Sequence, residues 1–241
     1  MKVGLIQTRG IGDIIIAAPI AQYFIGQGHD VFWPVESSFH VSVQAAFPEI
    51  RFIPVYEEET GYATVDYFYS RPKAELERIG CDSIFCLYSH LLDLDIVDKQ
   101  LAFSLKFDEY KYAVTGVPFE LKWQLAVTRD PGREQALFER LAIHRHYLLL
   151  HDQGEGFKLD IQLPEDLLRD YQVVRISALT DNPFDWLATI ERASMLLCID
   201  SCFANLVEQL NLRSHKYLFL RSHTGGTPVF KNGWFFRSAV Q

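Results

Sequence analysis

The first twenty residues constrain the fold of this chain more than any other stretch. Residues 3–7 form a short apolar run, residues 8–13 form a turn with two glycines, and residues 14–25 form a long apolar segment. Apolar runs of about four to eight residues are typical of buried strands, and runs of about ten or more are typical of helices. The pattern therefore predicts a strand, a tight turn and a helix, which together open an α/β protein with a parallel sheet.

Asp13 lies in this turn, at the predicted start of the helix. A helix start presents free backbone N–H groups and a partial positive charge, so it is a natural seat for an anion. The Asp can be an N-cap, or it can point its carboxylate into the crevice above the sheet as a general base. Gly10 and Gly12 also fit part of the dinucleotide pattern G-x-G-x-x-G. Ile15 stands in place of the third glycine, so that match is weak.

Composition and charge narrow the class of protein. The chain has 241 residues, 49% of them hydrophobic, and a formal net charge of −8. That charge disfavours a stable nucleic-acid complex. No apolar run reaches membrane-spanning length and no signal-peptide pattern precedes the first strand, so we expect a cytoplasmic protein with at most peripheral membrane contact.

The cysteines and other possible metal ligands show no metal-binding spacing. We expect the four cysteines to be reduced core thiols, because each falls in or beside an apolar run. They are Cys81, Cys86, Cys198 and Cys202.

Short apolar strands alternate with helical segments twice along the chain, a pattern typical of βαβ units and a parallel sheet. In the first half the predicted strands are 3–7, 30–35, 51–56 and 83–87, and the predicted helices are 14–25, 39–47, 72–79 and 93–107. Residues 57–70 are predicted as a loop, and the order weakens over 109–130. In the second half the predicted strands are 147–150, 173–176, 195–199 and 217–220, and the predicted helices are 131–142, 167–171, 183–193 and 203–210. The sequence thus predicts two domains, 1–130 and 131–241.

Residues 2–19 resemble the N-terminus of glycosyltransferase family 9, the ADP-heptose:lipopolysaccharide heptosyltransferases. That family begins with a strand, a small-residue turn ending in Gly-Asp, and an apolar helix that carries a proline. Gly12, Asp13 and Pro19 match as they stand. The resemblance implies the GT-B fold, with two Rossmann-like parallel-sheet halves facing a cleft. It also implies that 1–130 binds the acceptor, that 131–241 binds a nucleotide-sugar, and that Asp13 is the catalytic base.

The second half follows the same family's order of elements in residues 177–179, 185–187, 190–193 and 199–201. Asp200 and Ser201 end a strand and open a helix, so the backbone N–H groups and the Ser hydroxyl there can hold a diphosphate, or the two residues can merely cap the helix. The sequence departs from the family at Cys202, where the family has glycine, and at Asn205, where it has His. Cys tolerates positive φ poorly, so we expect a constrained turn. Asn can donate to phosphate but carries no charge, so we expect a donor other than ADP-heptose.

Further candidate residues follow from their places at predicted strand ends. Lys158 could meet the leaving diphosphate, and Thr224 and Gly225 could either wrap a phosphate or form a surface turn. From the resemblance, Leu179 and Pro183 would border the base of the donor. Arg9, Gly12 and His151 complete the prediction as residues that line the cleft.

The resemblance therefore implies an inverting, metal-independent glycosyltransferase. It would move a sugar from a nucleotide-diphosphate donor to a hydroxyl on a glycan, lipopolysaccharide or related polysaccharide, with no cofactor apart from the nucleotide-sugar substrate. Two alternatives stay open. One is a degenerate GT-B protein that binds a nucleotide or acts as a scaffold without turnover. The other is a phage-type enzyme that glycosylates a modified nucleic-acid base.

Overall fold

The chain forms two compact units, Met1–Thr128 and Arg129–Gln241. The computed structural model describes residues 1–56, 64–154, 157–212, 215–220 and 226–238. Each unit contains a parallel sheet with helices between its strands. The predicted α/β class with two Rossmann-like halves is thus confirmed.

The first unit alternates strands and helices from its second residue. Its strands are β1 (Lys2–Ile6), β2 (Asp30–Glu36), β3 (Arg51–Val55) and β4 (Ser83–Cys86). Its helices are α1 (Ile11–Gly26), α2 (Ser37–Ala46), α3 (Arg71–Ile79), α4 (Lys99–Ser104) and α5 (Phe107–Thr115), with a π-helical turn at Asp66–Ser70 and a 3-10 helix at Phe119–Gln124.

The strand order of the first sheet indicates where a ligand would bind. The four strands lie in the order β3-β2-β1-β4, and all pairs are parallel. The chain moves outward from β1 to β3 and then returns to the other side of β1 with β4. Ligands of such sheets bind beyond the carboxyl ends of the strands at this reversal. In the first unit that point lies between β1 and β4.

The second unit repeats the architecture with one more strand in its main sheet. Its strands are β5 (Tyr147–His151), β6 (Gln153–Gly154), β7 (Phe157–Lys158), β8 (Gln172–Arg175), β9 (Met195–Ile199), β10 (His215–Leu220) and β11 (Trp234–Ser238). Its helices are α6 (Pro131–Arg140), α7 (Glu165–Asp170), α8 (Leu187–Arg192) and α9 (Cys202–Gln209), with a 3-10 helix at Pro183–Trp186.

The main sheet of the second unit also reverses direction once. Its five strands lie in the order β11-β10-β9-β5-β8, all parallel, while β6 and β7 form a separate antiparallel pair. The chain goes from β5 to β8 on one side and then to β9 on the other. The expected ligand position therefore lies beyond the carboxyl ends of β5 and β9.

The burial of apolar side chains explains why these helices and strands form. Helix α1 is buried over residues 14–21, including Ile14, Ile15 and Ile16, which are at most 1% exposed. Burying one such side chain contributes about 1.5–3 kcal/mol relative to leaving it exposed. Pro19 lies inside α1, where it removes one backbone N–H donor without ending the helix. In the second unit, Trp186 and Leu149 belong to one buried cluster between the sheet and its helices.

The structure differs from the sequence prediction over 93–130. The predicted single helix over 93–107 is wrong, because α4 covers only Lys99–Ser104, Leu105 after it is extended, and α5 begins at Phe107. The start of α5 is fixed by Glu109, whose side chain accepts from the Lys106 N–H at 2.9 Å. The predicted irregular region after residue 109 therefore begins inside a helix. Strand β11 was not predicted, and residues 57–63 of the predicted loop lie outside the described residues.

All four cysteines are free thiols, with Cys86 and Cys198 buried. None of the helices in the described ranges combines the length and the apolar character that crossing a membrane requires. In those same ranges, no three His, Cys, Asp or Glu side chains are grouped so that they could hold a metal ion.

Candidate functional site

The turn after β1 begins the candidate site of the first unit. Gly10 adopts φ +79°, and α1 begins directly after it at Ile11. Only glycine adopts this left-handed conformation readily. A Cβ added at Gly10 would also lie 2.8 Å from Asp13 Oδ2. Both the backbone conformation and the space beside the carboxylate therefore require glycine.

Asp13 lies in the first turn of α1 and does not cap it. No side chain caps this helix, and the Asp13 N–H donates to the Gly10 carbonyl at 2.9 Å. The N-cap interpretation of Asp13 is therefore wrong. Its side chain keeps 35% of its surface exposed, and a carboxylate here also interacts favourably with the positive end of the helix dipole.

A buried lysine holds the Asp13 carboxylate. Lys111, in α5, is 2% exposed, and its Nζ lies 3.0 Å from Asp13 Oδ1. The same Nζ donates to Gln7 Oε1 at 2.6 Å and to the Leu87 carbonyl at 3.1 Å. Lys111 thus joins α5 to the strand ends of both β1 and β4.

Gln7 links this lysine to the turn. Its Oε1 accepts from Lys111, and its Nε2 donates to the Arg9 carbonyl at 2.8 Å. Its own carbonyl accepts from Trp33 Nε1 at 3.1 Å, inside the core. The position of Asp13 is therefore tied through two side chains to the buried part of the sheet.

Arg9 packs at the edge of the same turn. Its Nε lies 3.6 Å from Glu36 Oε2, and its guanidinium lies over the Phe68 ring at 5.4 Å. Gly12 is the second residue of α1, and it lies between the turn and Asp13. The structure thus places Arg9 and Gly12 in the same turn region as Asp13, and their predicted role in lining a cleft stays a prediction.

The loop after β4 reaches the turn after β1 through Tyr88 and His90. The Arg9 N–H donates to Tyr88 Oη at 3.0 Å, and the Tyr88 and His90 rings meet edge to face at 5.4 Å. Burial raises the pKa of Tyr88, so its hydroxyl stays protonated. Partial burial, and then the Lys111 charge, lower the pKa of His90, while Asp13 opposes that shift. A neutral imidazole therefore lies in the field of the Asp13–Lys111 pair.

In the second unit, the candidate site lies at the ends of β5 and β9. His151 ends β5, and its Nδ1 lies 2.9 Å from Oγ of Ser201, which precedes α9. Ser201 is the N-cap of that helix, and its hydroxyl accepts from the Ala204 N–H at 3.5 Å. The His151 ring packs edge to face on Phe203 at 4.8 Å. Two residues that are fifty positions apart thus meet at the reversal point of the sheet.

Asn205, in the first turn of α9, carries an unsatisfied polar atom. The residue is 4% exposed, and its Oδ1 is buried without a hydrogen-bond partner. An unpaired buried acceptor costs about 1–3 kcal/mol. Such atoms are uncommon in folded proteins, so this one is a candidate for a role in binding.

The turn at Cys202 is not constrained in the way the sequence suggested. Ser201 has extended backbone angles, φ −158° and ψ 175°, and Cys202 is the first residue of α9. No positive φ is needed at Cys202, so replacing the family's glycine strains nothing there. Burial raises the pKa of the Cys202 thiol to about 12, so it adds no charge to the site. Asp200, just before the N-cap, is 6% exposed.

The remaining predicted residues that the structure describes lie on other elements of the second unit. Lys158 is exposed in β7, and Leu179 is 37% exposed in the loop after β8. Pro183 begins the 3-10 helix that precedes α8. Thr224 and Gly225 lie outside the described residues. Asp152, which follows His151, is buried and forms an ion pair with Arg175.

Sequence reasoning missed four residues of the first site. Lys111 lay in the region that looked irregular, and no spacing connects it to Asp13 along the chain. The others were hidden because a glutamine, a tyrosine and a histidine at strand ends are common without function. These three are Gln7, Tyr88 and His90.

Solved structures with the same fold are glycosyltransferases. A glycosyl transferase family 9 protein from Veillonella parvula matches 98% of this chain and 86% of its own length, with a TM-score of 0.66 and 10% identity. The E. coli heptosyltransferase WaaC, solved with ADP-2-deoxy-2-fluoro heptose, matches 98% of this chain and 93% of its own, with a TM-score of 0.53 and 16% identity. The fold of this chain is therefore that of glycosyltransferase family 9 structures, of the GT-B type, at low sequence identity.

Two further matches show the range of proteins with this fold. The spinosyn forosaminyltransferase SpnP covers 100% of this chain and 86% of its own, with a TM-score of 0.51 and 11% identity. The iron-containing dodecameric glycosyltransferase TibC from enterotoxigenic E. coli matches 98% of this chain but only 62% of its own length, with a TM-score of 0.54 and 11% identity. No family model matches the sequence, and no curated protein shows significant sequence similarity to it.

Proposed function

We propose that this protein is an inverting glycosyltransferase that moves a sugar from a nucleoside-diphosphate donor to a hydroxyl of a glycan or related acceptor. One observation carries the proposal. A carboxylate, Asp13, is held by a buried lysine at the carboxyl edge of a sheet whose fold is shared with glycosyltransferases. Asp13 is also partly exposed, so an acceptor can reach it.

Asp13 acts as the general base in this proposal. Its carboxylate takes the proton of the acceptor hydroxyl while the acceptor oxygen bonds to the anomeric carbon of the sugar. The bond from that carbon to the diphosphate breaks, and the diphosphate leaves with the electron pair. Attack opposite the leaving group inverts the anomeric configuration.

The second unit holds the donor. The N-terminus of α9 offers backbone N–H groups and the positive end of a helix dipole to the diphosphate. Ser201, His151 and Asn205 add a hydroxyl, an imidazole and an amide within this region. Asp200 belongs to the same strand end. Lys158 is an additional cation for the leaving group, and Leu179 and Pro183 lie beside the nucleobase of the donor. In this mechanism the helix start and neighbouring side chains neutralise the diphosphate, so no metal is required.

The donor is expected to differ from ADP-heptose. Asn205 cannot carry the positive charge that a histidine can carry, so it interacts less strongly with a diphosphate. WaaC was solved with an ADP-heptose analogue, which makes ADP-heptose the reference compound. A clear preference for ADP-heptose over the other donors would contradict this part of the proposal.

The test is a side-by-side screen of ADP-, UDP-, GDP- and CDP-linked sugars, with and without EDTA. Calorimetry measures binding, release of the nucleoside diphosphate measures turnover, and NMR of the product gives its anomeric configuration. We expect turnover with one donor class, an inverted product and no loss of rate with EDTA. Binding without any turnover would show a nucleotide-binding protein instead, and a retained configuration would refute the mechanism.

A further inference from the structure

The ammonium group of Lys111 is buried and has three oxygen partners within the protein. An ammonium has three N–H donors and no acceptor. Its three partners are Gln7 Oε1 at 2.6 Å, the Leu87 carbonyl at 3.1 Å and Asp13 Oδ1 at 3.0 Å. Two of these contacts are hydrogen bonds and the third is an ion pair, and Lys111 as a whole is 2% exposed. Lys111 is therefore shielded from a substrate, and any effect it has on a reaction passes through a residue that it holds.

A second buried lysine in the same unit gives a direct comparison. Lys122 lies 2.7 Å from Asp108, and both side chains are 0% exposed. In the Lys111 pair the lysine is 3% exposed by its side chain, but the Asp13 side chain is 35% exposed. The Lys122–Asp108 pair is closed to solvent at both side chains. The Lys111–Asp13 pair exposes its carboxylate, while its cation stays buried.

The two oxygens of Asp13 also have different surroundings. Oδ1 meets Lys111, while Oδ2 lies on the side of Gly10, where an added Cβ would approach it to 2.8 Å. Gly10 is thus the residue that leaves room for Oδ2. Because Lys111 fixes Oδ1, the plane of the Asp13 carboxylate and the direction of Oδ2 are also set.

We propose that Lys111 is a positioning residue for Asp13: it fixes Oδ1 and so aims Oδ2 at the acceptor hydroxyl. This inference rests on the proposed function, because it assigns a role within the same reaction. A general base must come within about 2.6–3.2 Å of the oxygen that it deprotonates. A misplacement of about 1 Å can lower a rate about 10²-fold.

The test is a double-mutant cycle on turnover. Lys111→Met, Asp13→Asn and the double variant are assayed with whichever of the ADP-, UDP-, GDP- and CDP-sugars the wild-type protein turns over fastest. We expect Lys111→Met to lower kcat by about 10²-fold and to leave the KM for the donor unchanged. In the Asp13→Asn background, Lys111→Met should cause no further loss, because its effect passes through the carboxylate.

Lys122→Met is the matched control, because it removes a buried, ion-paired lysine from the same unit whose partner is Asp108 and not Asp13. It should lower the Tm and leave kcat per folded molecule unchanged. Since Lys111→Met can also lower the Tm, activity is measured well below the lower of the two Tm values. If Lys111→Met does not fold, Lys111→Gln, which keeps two N–H donors, takes its place in the same cycle.

The outcomes separate this inference from the proposed function. Wild-type kcat in Lys111→Met with a large loss in Asp13→Asn overturns the inference and leaves the function standing. Losses that multiply in the double variant show a structural role and also overturn it. No turnover with any of the four donors, or wild-type turnover in Asp13→Asn, overturns the function and this inference with it.

Discussion

The two units place a helix start at the same point of their sheets but equip it with different chemistry. In the first unit, the start of α1 carries a charged pair, Asp13 and Lys111, behind a glycine turn. In the second, Ser201 caps α9, Asn205 lies in its first turn and His151 of β5 contacts Ser201, while residues 202–205 include no charged side chain. The same backbone architecture thus supports two kinds of site, and the side chains decide which.

In the proposed function, this difference matches what proton removal and diphosphate binding each need. Removing a proton requires an exposed base held in one orientation, and a carboxylate on a buried ammonium provides that. Holding a diphosphate requires hydrogen-bond donors and positive potential, and a helix start with short polar side chains provides them.

The largest effect is expected from removing the base. Asp13→Asn should lower turnover by about 10²–10⁴-fold, the usual contribution of a positioned proton acceptor, and leave donor affinity unchanged. From the sequence alone, the stability of this variant would be unchanged, but the structure shows that the substitution also removes the ion pair with Lys111. We therefore expect the unfolding free energy, measured by urea titration, to fall. The loss should be only about 1 kcal/mol, because the Asn oxygen can accept from the lysine.

Asp98→Asn is the control for that experiment. Asp98 is a true N-cap in the same unit, and its Oδ1 accepts from the Leu101 N–H at 3.0 Å. Since Asn and Asp cap about equally well, this variant should keep both wild-type turnover and wild-type stability. Equal turnover in the two variants would remove the distinction between a cap and a base.

Lys122→Met tests whether a buried charge in the first unit matters for stability apart from the site. It leaves the buried Asp108 carboxylate without its cation, so the unfolding free energy should fall by about 3–5 kcal/mol. Lys99→Met, an exposed change at the start of α4, should stay within about 0.5 kcal/mol of the wild type. Similar stabilities of the two variants in urea titrations would mean that Asp108 and Lys122 are not a closed pair.

Ser201→Ala tests the donor side. It should lower the affinity for a nucleoside diphosphate about tenfold, because a hydrogen bond to a charged group is worth about 1.5–3 kcal/mol. It should also cost about 1 kcal/mol of stability through the lost N-cap. Asp130→Ala removes another N-cap of the same unit, where Asp130 accepts from the Arg133 N–H at 3.0 Å. That control should show the same loss of stability with unchanged affinity by calorimetry.

Asn205→Leu should stabilise the protein while weakening donor binding. It removes a buried unpaired acceptor, which is worth about 1 kcal/mol or slightly more. Thr189 Oγ1 is also buried without a partner, in α8 of the same unit. Thr189→Val should therefore raise the Tm in the same way but leave nucleotide affinity unchanged. Weaker binding in both variants, or in neither, would remove Asn205 from the donor site.

The smallest expected effect concerns His90 and pH. The pKa of His90 is lowered in the folded protein. As the pH falls below about 6.5, the ordinary pKa of histidine, His90 is therefore protonated in the unfolded chain before it is protonated in the folded protein. Stability contributed by the neutral imidazole is present above that pH and is lost as the pH falls toward the folded-state pKa. His90→Gln should flatten the decline in unfolding free energy between neutral and mildly acidic pH. An identical pH profile in the variant would show that His90 does not titrate in the field of Lys111 and Asp13.

The sequence by itself determined most of the strands and the ends at which they stop. Runs such as residues 3–7 and 195–199 are short, apolar and bounded by polar turns, so their type follows from local pattern, and the alternation of such strands with helices predicts a parallel sheet. The same logic placed Asp13 and Ser201 at helix starts, because a residue after a strand in an α/β unit lies at the carboxyl edge of the sheet.

Only the tertiary structure decided what those residues touch. Lys111 meets Asp13 because α5 packs against the ends of β1 and β4, and nothing in the spacing of 98 residues between them encodes that contact. In the same way, His151 meets Ser201 because β5 and β9 are neighbours in the sheet. Local pattern fixes the period and the ends of an element, whereas the partner of a side chain depends on strand order and helix packing. Those are properties of the whole fold.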